Sequence, residues 1–217
     1  MMRSILLDWI VDVHQKFGLD SETLFLTTNI IDKYLQRKKI NRSKLQLVGI
    51  TALQIASKYE EISVPDLADL VYIADGAYDK GEIIKMEKEI LDVIEYDITC
   101  GSSLKFLEIY NIILQMDEEL YMLCRYFLEL FLLDYTMLKY KNSLLAAVAI
   151  YIALKITKKY GSEMISVISN YNIEVIKSCA VDACVVLDNA EKSSLQAVKK
   201  KFRADKYSNV SKLLHFS

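Results

Sequence analysis

Proline occurs once in this chain of 217 residues, at Pro65, and histidine twice, at His14 and His215. Five of the six glycines fall between periodic segments (Gly18, Gly76, Gly101 and Gly161) or at the very start of one (Gly81), and only Gly49 lies in the interior of one. With so few breakers and no alternating apolar runs bounded by turn dipeptides, there is no strand or hairpin signal. The four cysteines, Cys100, Cys124, Cys179 and Cys184, form no C-x-x-C pair, so neither a structural zinc site nor any other metal centre is expected. Scattered thiols in an unstapled chain suit a reducing, intracellular setting in the nucleus or cytoplasm. The longest unbroken apolar run, Leu144 to Leu154, has eleven residues, against the roughly 18 a membrane span needs. The N-terminal "MMRSILLDW" carries an acid at position 8 and no small-residue cleavage site, so no secretory signal is expected. A net charge of −2 gives no global case for nucleic acid. There is no glycine-rich phosphate loop and no nucleophile motif, which argues against an enzyme or a bound cofactor.

Hydrophobic residues make up 53% of the chain, enough for a sizeable core. Helical periodicity marks segments near 2–17, 21–36, 42–60, 65–74 and 80–95. After a break at Gly101 it resumes at 102–116, 119–136, 142–160, 162–170 and 173–190, with a shorter segment near 192–204. Ser21 with Glu22, Pro65 with Asp66, and Ser102 with Ser103 are N-terminal signals. The third segments of the two halves, "GITALQIASK" (49–58) and "AAVAIYIALK" (146–155), share Ala, Ile, Ala and Lys in register. Both are apolar nearly all round and rich in small side chains, as a helix at the centre of a bundle must be. The expectation is an all-α protein of two similar five-helix domains, 1–99 and 100–205, with a tail at 206–217.

Several charges fall on apolar faces. Arg3 projects inside the broad arc of Met2, Ile5, Leu6, Leu7, Trp9, Ile10, Val13 and Phe17, and a guanidinium there needs a carboxylate. Asp32, on the edge of the next helix's stripe, is the expected partner. Along the opposite edge Met2, Ile5 and Trp9 line up with Asp12 beside them. That strip is either core or an exposed recognition site rimmed by polar groups. Glu87 points out of the stripe Ile83, Met86, Ile90, Leu91 and Ile94. It must meet a cation, with Lys58 a candidate, or accept from another protein. Lys58 itself also has a simple role offsetting the carbonyl end of its helix. Basic clusters at 33–44 and 192–212 read as a solvated loop and helix face.

Together these stretches resemble the cyclins, most closely the A- and B-type (mitotic) class. "MRSILLDW" (2–9) is similar to the family's MRAILxDW, "KLQLVG" (44–49) and "ASKYEE" (56–61) to its third helix, and "YIADGAYDKGEIIKMEKEIL" (72–91) to the segment that follows. "KYSNVSKLL" (206–214) is similar to its C-terminal end, whereas "SVPDL" has one of the usual paired prolines. The resemblance implies two cyclin boxes and a regulatory, non-enzymatic role: binding a cyclin-dependent kinase and moving its C-helix inward. It implies Lys58 and Glu87 as polar anchors of that contact, and Ile55, Tyr59, Leu91, Tyr96 and Ile98 as its apolar pocket. Met2, Ile5, Leu6, Trp9, Leu45 and Gln46 match a patch that docks Arg-x-Leu motifs of substrates and inhibitors. Asp12 stands where the family has a glutamate, and the resemblance turns Trp9 towards recognition. The alternative is a cyclin-fold module of the transcription-factor type that binds DNA or general factors.

Overall fold

The computed structural model describes residues 2–159, 161 and 163–213. Tyr160, Ser162, Leu214 and His215 lie outside these, and with them the ends of the 142–160, 162–170 and 206–214 segments. Among the described residues there is no strand. The chain divides into two compact units, Met1–Cys100 and Gly101–Ser217. The first contains α1 (Met2–Phe17), α2 (Ser21–Arg37), α3 (Leu45–Glu60), α4 (Leu67–Ile73) and α5 (Lys80–Val93). The second contains α6 (Ser103–Leu114), α7 (Glu118–Leu133), α8 (Asn142–Ile156), α9 (Met164–Ser169), α10 (Ile173–Lys192) and the short α11 (Ala197–Lys201).

The helix limits follow local chemistry. Asp20, one residue before the expected start, caps α2 by accepting the Glu22 N–H at 2.9 Å. Ser102 caps α6 through the Lys105 N–H at 3.0 Å. Asp79 and Glu82 form a reciprocal capping box on α5. The segment expected as one helix over 42–60 opens instead with a 3₁₀ turn at Arg42–Lys44. That over 119–136 closes with Asp134, which caps a 3₁₀ turn at Tyr135–Lys139 through the Thr136 N–H. Glu95 and Tyr96, both at positive φ, reverse the chain after α5.

In unit 1, α3 packs against α1, α2 and α5. Its residues 47–57 are all buried. Gly49 permits a close approach: a Cβ there would lie 2.8 Å from Leu6 Cδ1 and 3.3 Å from Ile10 Cδ1. In unit 2, α8 has the same central position among α6, α7, α9 and α10, with Ala146, Ala147, Ala149 and Ala153 fully buried. Small side chains in both let the neighbours close in.

A lysine closes the second unit. Lys201 in α11 donates to both carboxylate oxygens of Glu129 in α7, and Phe202 stacks against Tyr126 and Tyr207. The 3₁₀ turn Val210–Lys212 also packs on α7.

Candidate recognition surfaces of the first unit

The last turn of α3 and the middle of α5 bring Lys58 and Glu87 together, Nζ to Oε1 at 2.5 Å. Lys58 is half exposed and Glu87 largely covered, so the pair sits at the surface with the carboxylate tucked beneath. Of the two routes open to Glu87, an internal cation and a partner's donors, this structure takes the first. Tyr59, which follows Lys58 in the chain, is 53% exposed, and Tyr96, just past the end of α5, is 63% exposed. The Tyr96 hydroxyl donates to Asp92 Oδ1 at 3.1 Å, a bond that raises the phenol above its ordinary pKa. Leu91 and Ile98 are half-buried, whereas Ile55 lies in the core at 3% exposure. The rest of the α5 stripe, Ile83, Met86, Ile90 and Ile94, is buried.

Glu61, one residue past α3, was not singled out by its sequence. Its Oε1 accepts the Asp20 N–H at 2.7 Å and the Thr23 hydroxyl at 2.5 Å. It thereby anchors the C-terminal end of α3, which carries Lys58 and Tyr59, on the N-terminal end of α2. Its signal is invisible locally because the partners are about forty residues away. His14, buried beneath, donates from Nε2 to the Asp20 carbonyl at 2.7 Å, a packing role for the ring.

A second feature lies between α1 and α3: an open groove of about 250 Å³. Met2, Ile5, Leu6 and Trp9 supply one wall and its floor, and Leu45 and Gln46 the other. Met2 and Ile5 are 45% and 51% exposed, Trp9 is half-buried, and Leu6 is buried. Trp9 is therefore a wall, with one side in the core and one towards solvent. Asp12 is exposed and outside the groove lining; Arg42, which the sequence placed in a basic loop, is inside it. Arg3 turns the other way and meets Asp32 bidentately, Nε–Oδ1 2.6 Å and Nη2–Oδ2 2.7 Å, joining α1 to α2 in a largely covered site.

The basic stretch 33–44 is only partly a solvated loop. Lys33 bonds Asp97 at 2.8 Å, Arg37 the Val93 carbonyl at 2.9 Å, and Lys38 Glu89 at 2.7 Å. The Lys38 and Tyr34 bonds hold the Glu89 carboxyl below its usual pKa, and Lys33 does the same for Asp97. The cysteines are unpaired, and burial raises the Cys179 thiol to about 12. No group of three or more metal-ligating side chains occurs among the described residues, and no helix of the structure is long and apolar enough to cross a membrane.

Two tandem helical bundles, five helices in the first unit and six in the second, each built on a central small-residue helix, define an all-α fold. Residues 1–99 match the cyclin N-terminal domain family and residues 102–215 the cyclin C-terminal domain family. The chain belongs to the cyclin family. It is 37% identical over 214 residues to Cyclin-B2-1 of Arabidopsis thaliana, covering 97% of this chain and 50% of that protein. To the G2/mitotic-specific cyclin-B of Patella vulgata it is 38% identical, covering 98% and 52%. To Cyclin-B2-1 of rice (Oryza sativa subsp. japonica) it is 49% identical over 152 residues, 70% of this chain and 36% of that protein. It thus spans about half or less of the length of these relatives. The fold is shared with a viral cyclin from herpesvirus saimiri (TM-score 0.67, 22% identity, 84% of this chain and 85% of that one). It is shared too with a chain of the CAK complex from Chaetomium thermophilum bound to ATP-gamma-S (TM-score 0.63, 13% identity, 97% and 67%).

Proposed function

We propose that this protein is the regulatory subunit of a cyclin-dependent kinase in the nucleus or cytoplasm, and performs no chemistry itself. Kinase catalysis requires the β3 lysine and the αC glutamate to be paired. A protein that binds the αC-in state preferentially shifts the kinase population towards it. The observation that carries the reading is the Lys58–Glu87 pair, which joins α3 to α5 at the surface, with Tyr59 and Tyr96 exposed at the ends of the same two helices. Both groups keep bonding capacity: an ammonium donates three hydrogen bonds and a carboxylate accepts about four, so the pair can add main-chain groups of a partner helix. The groove between α1 and α3 serves separately, holding Arg-x-Leu-type motifs of substrates or inhibitors. The test is reconstitution with cyclin-dependent kinases and a short generic peptide. Stimulation by this chain, with no phosphorylation by the chain alone, is expected; failure to bind or stimulate any of them would remove the proposal.

A further inference from the structure

The α1–α3 groove is charged on one side only. Arg42 lines it, is exposed, and its guanidinium makes no hydrogen bond or ion pair among the described residues. Lys39 and Lys44, in the same stretch, are exposed and likewise make no ion pair, whereas Lys33, Arg37 and Lys38 are all engaged with the end of α5. Asp12, the acid that would receive a basic residue, lies outside the lining. The volume of about 250 Å³ is smaller than the roughly 300 Å³ at which small-molecule sites begin, and suits one or two side chains of an extended peptide. An unengaged guanidinium beside an apolar floor is a fork set for a carboxylate.

Resting on the docking role proposed above, we infer that the groove selects peptide segments of partner proteins in which the apolar anchor is flanked, on the Arg42 side, by a glutamate or aspartate. The anchor fills the space bounded by Leu6, Trp9 and Leu45, and Gln46 offers its amide to the peptide backbone. The flanking carboxylate pairs with Arg42. A lysine at that position meets like charge and is rejected, so Arg42 provides selectivity as well as attraction.

Fluorescence anisotropy with labelled Arg-x-Leu peptides tests this, the residue flanking the anchor at either end being glutamate, alanine, lysine or phosphoserine in turn. At one end the glutamate peptide should bind about five-fold more tightly than the alanine peptide, and the lysine peptide more weakly. The gain should vanish in Arg42→Ala and shrink in high salt. Equal affinities for glutamate and alanine at both ends, or a preference that survives Arg42→Ala, would overturn the inference and leave docking intact. A gain for phosphoserine with none for glutamate would overturn the carboxylate assignment. Binding by none of the peptides would remove docking and the charge selection together.

Discussion

Lys201 places its ammonium between the two oxygens of Glu129, at 2.7 and 2.9 Å, and neither side chain reaches solvent. Two charges taken wholly out of water are tolerable only as a pair, so removing one partner strands the other. Glu129→Ala should lower the unfolding free energy of the second unit by about 3–5 kcal/mol. Replacing both, Glu129→Leu with Lys201→Met, should recover most of that. Urea denaturation followed by circular dichroism checks it; equal losses in single and double variants would mean that the two groups are not coupled.

Lys58→Ala and Glu87→Ala should each weaken kinase binding by tenfold or more, because truncating one member of a covered charged contact costs about 2–5 kcal/mol. Helical content should persist, since Lys58 is half exposed and the α3–α5 packing is apolar. Affinity by calorimetry alongside circular dichroism makes the comparison. Unchanged affinity in both variants would end the assignment of this surface.

Trp9→Ala removes one wall of the α1–α3 groove. An aromatic anchor of a small interface commonly contributes about 2 kcal/mol or more. The groove uses the start of α3, and the Lys58–Glu87 surface its other end. Phosphorylation of a short generic peptide should therefore persist in this variant, while binding of Arg-x-Leu peptides is lost. Loss of both together, or unfolding, would show that the indole serves the core alone.

Arg3→Ala breaks a bidentate contact that is largely but not wholly covered, with side-chain exposures of 11% and 20%. The expected loss, about 1.5–3 kcal/mol, is that of hydrogen bonds to a charged group. It falls below the cost of stranding a fully buried charge. A thermal melt of the variant measures it.

Acid should loosen the first unit through Glu89. Its carboxyl is held below its ordinary value chiefly by Lys38, then by the buried Tyr34 hydroxyl. The unfolded chain therefore binds more protons than the folded one as pH falls. This contribution is fully present above the unfolded carboxylate pKa of about 4.3 and is lost as pH drops through the lower folded value. Glu89→Gln should flatten the pH dependence of stability below about pH 5. An unchanged slope would assign the acid sensitivity to other carboxylates such as Asp97.

The helical architecture was legible because apolar periodicity is continuous between breakers, and the central positions of α3 and α8 because both are apolar nearly all round and rich in small side chains. Arg3 could be matched to Asp32 since it lies inside the apolar arc of one helix and Asp32 at the edge of the stripe on the next. Lys201 could not be singled out: it ends the run "KKK", and nothing local says which of three lysines turns inward. Glu61 escaped for a related reason, its partners Asp20 and Thr23 being set by how α2 and α3 pack. Arg42 read as part of a solvated loop because a 3₁₀ turn, too short for a periodic signal, swings it to the groove.

Gly49 has a bearing on recognition although it touches no solvent. The atom its absent Cβ would strike first is the far end of Leu6, the floor of the groove. Such a flexible tip yields before the backbone does, and this one is part of the groove lining. A single methyl added deep inside α3 would therefore be felt as a shallower groove more than as a weaker fold. The depth available to a visiting side chain is set from behind, by a hydrogen atom.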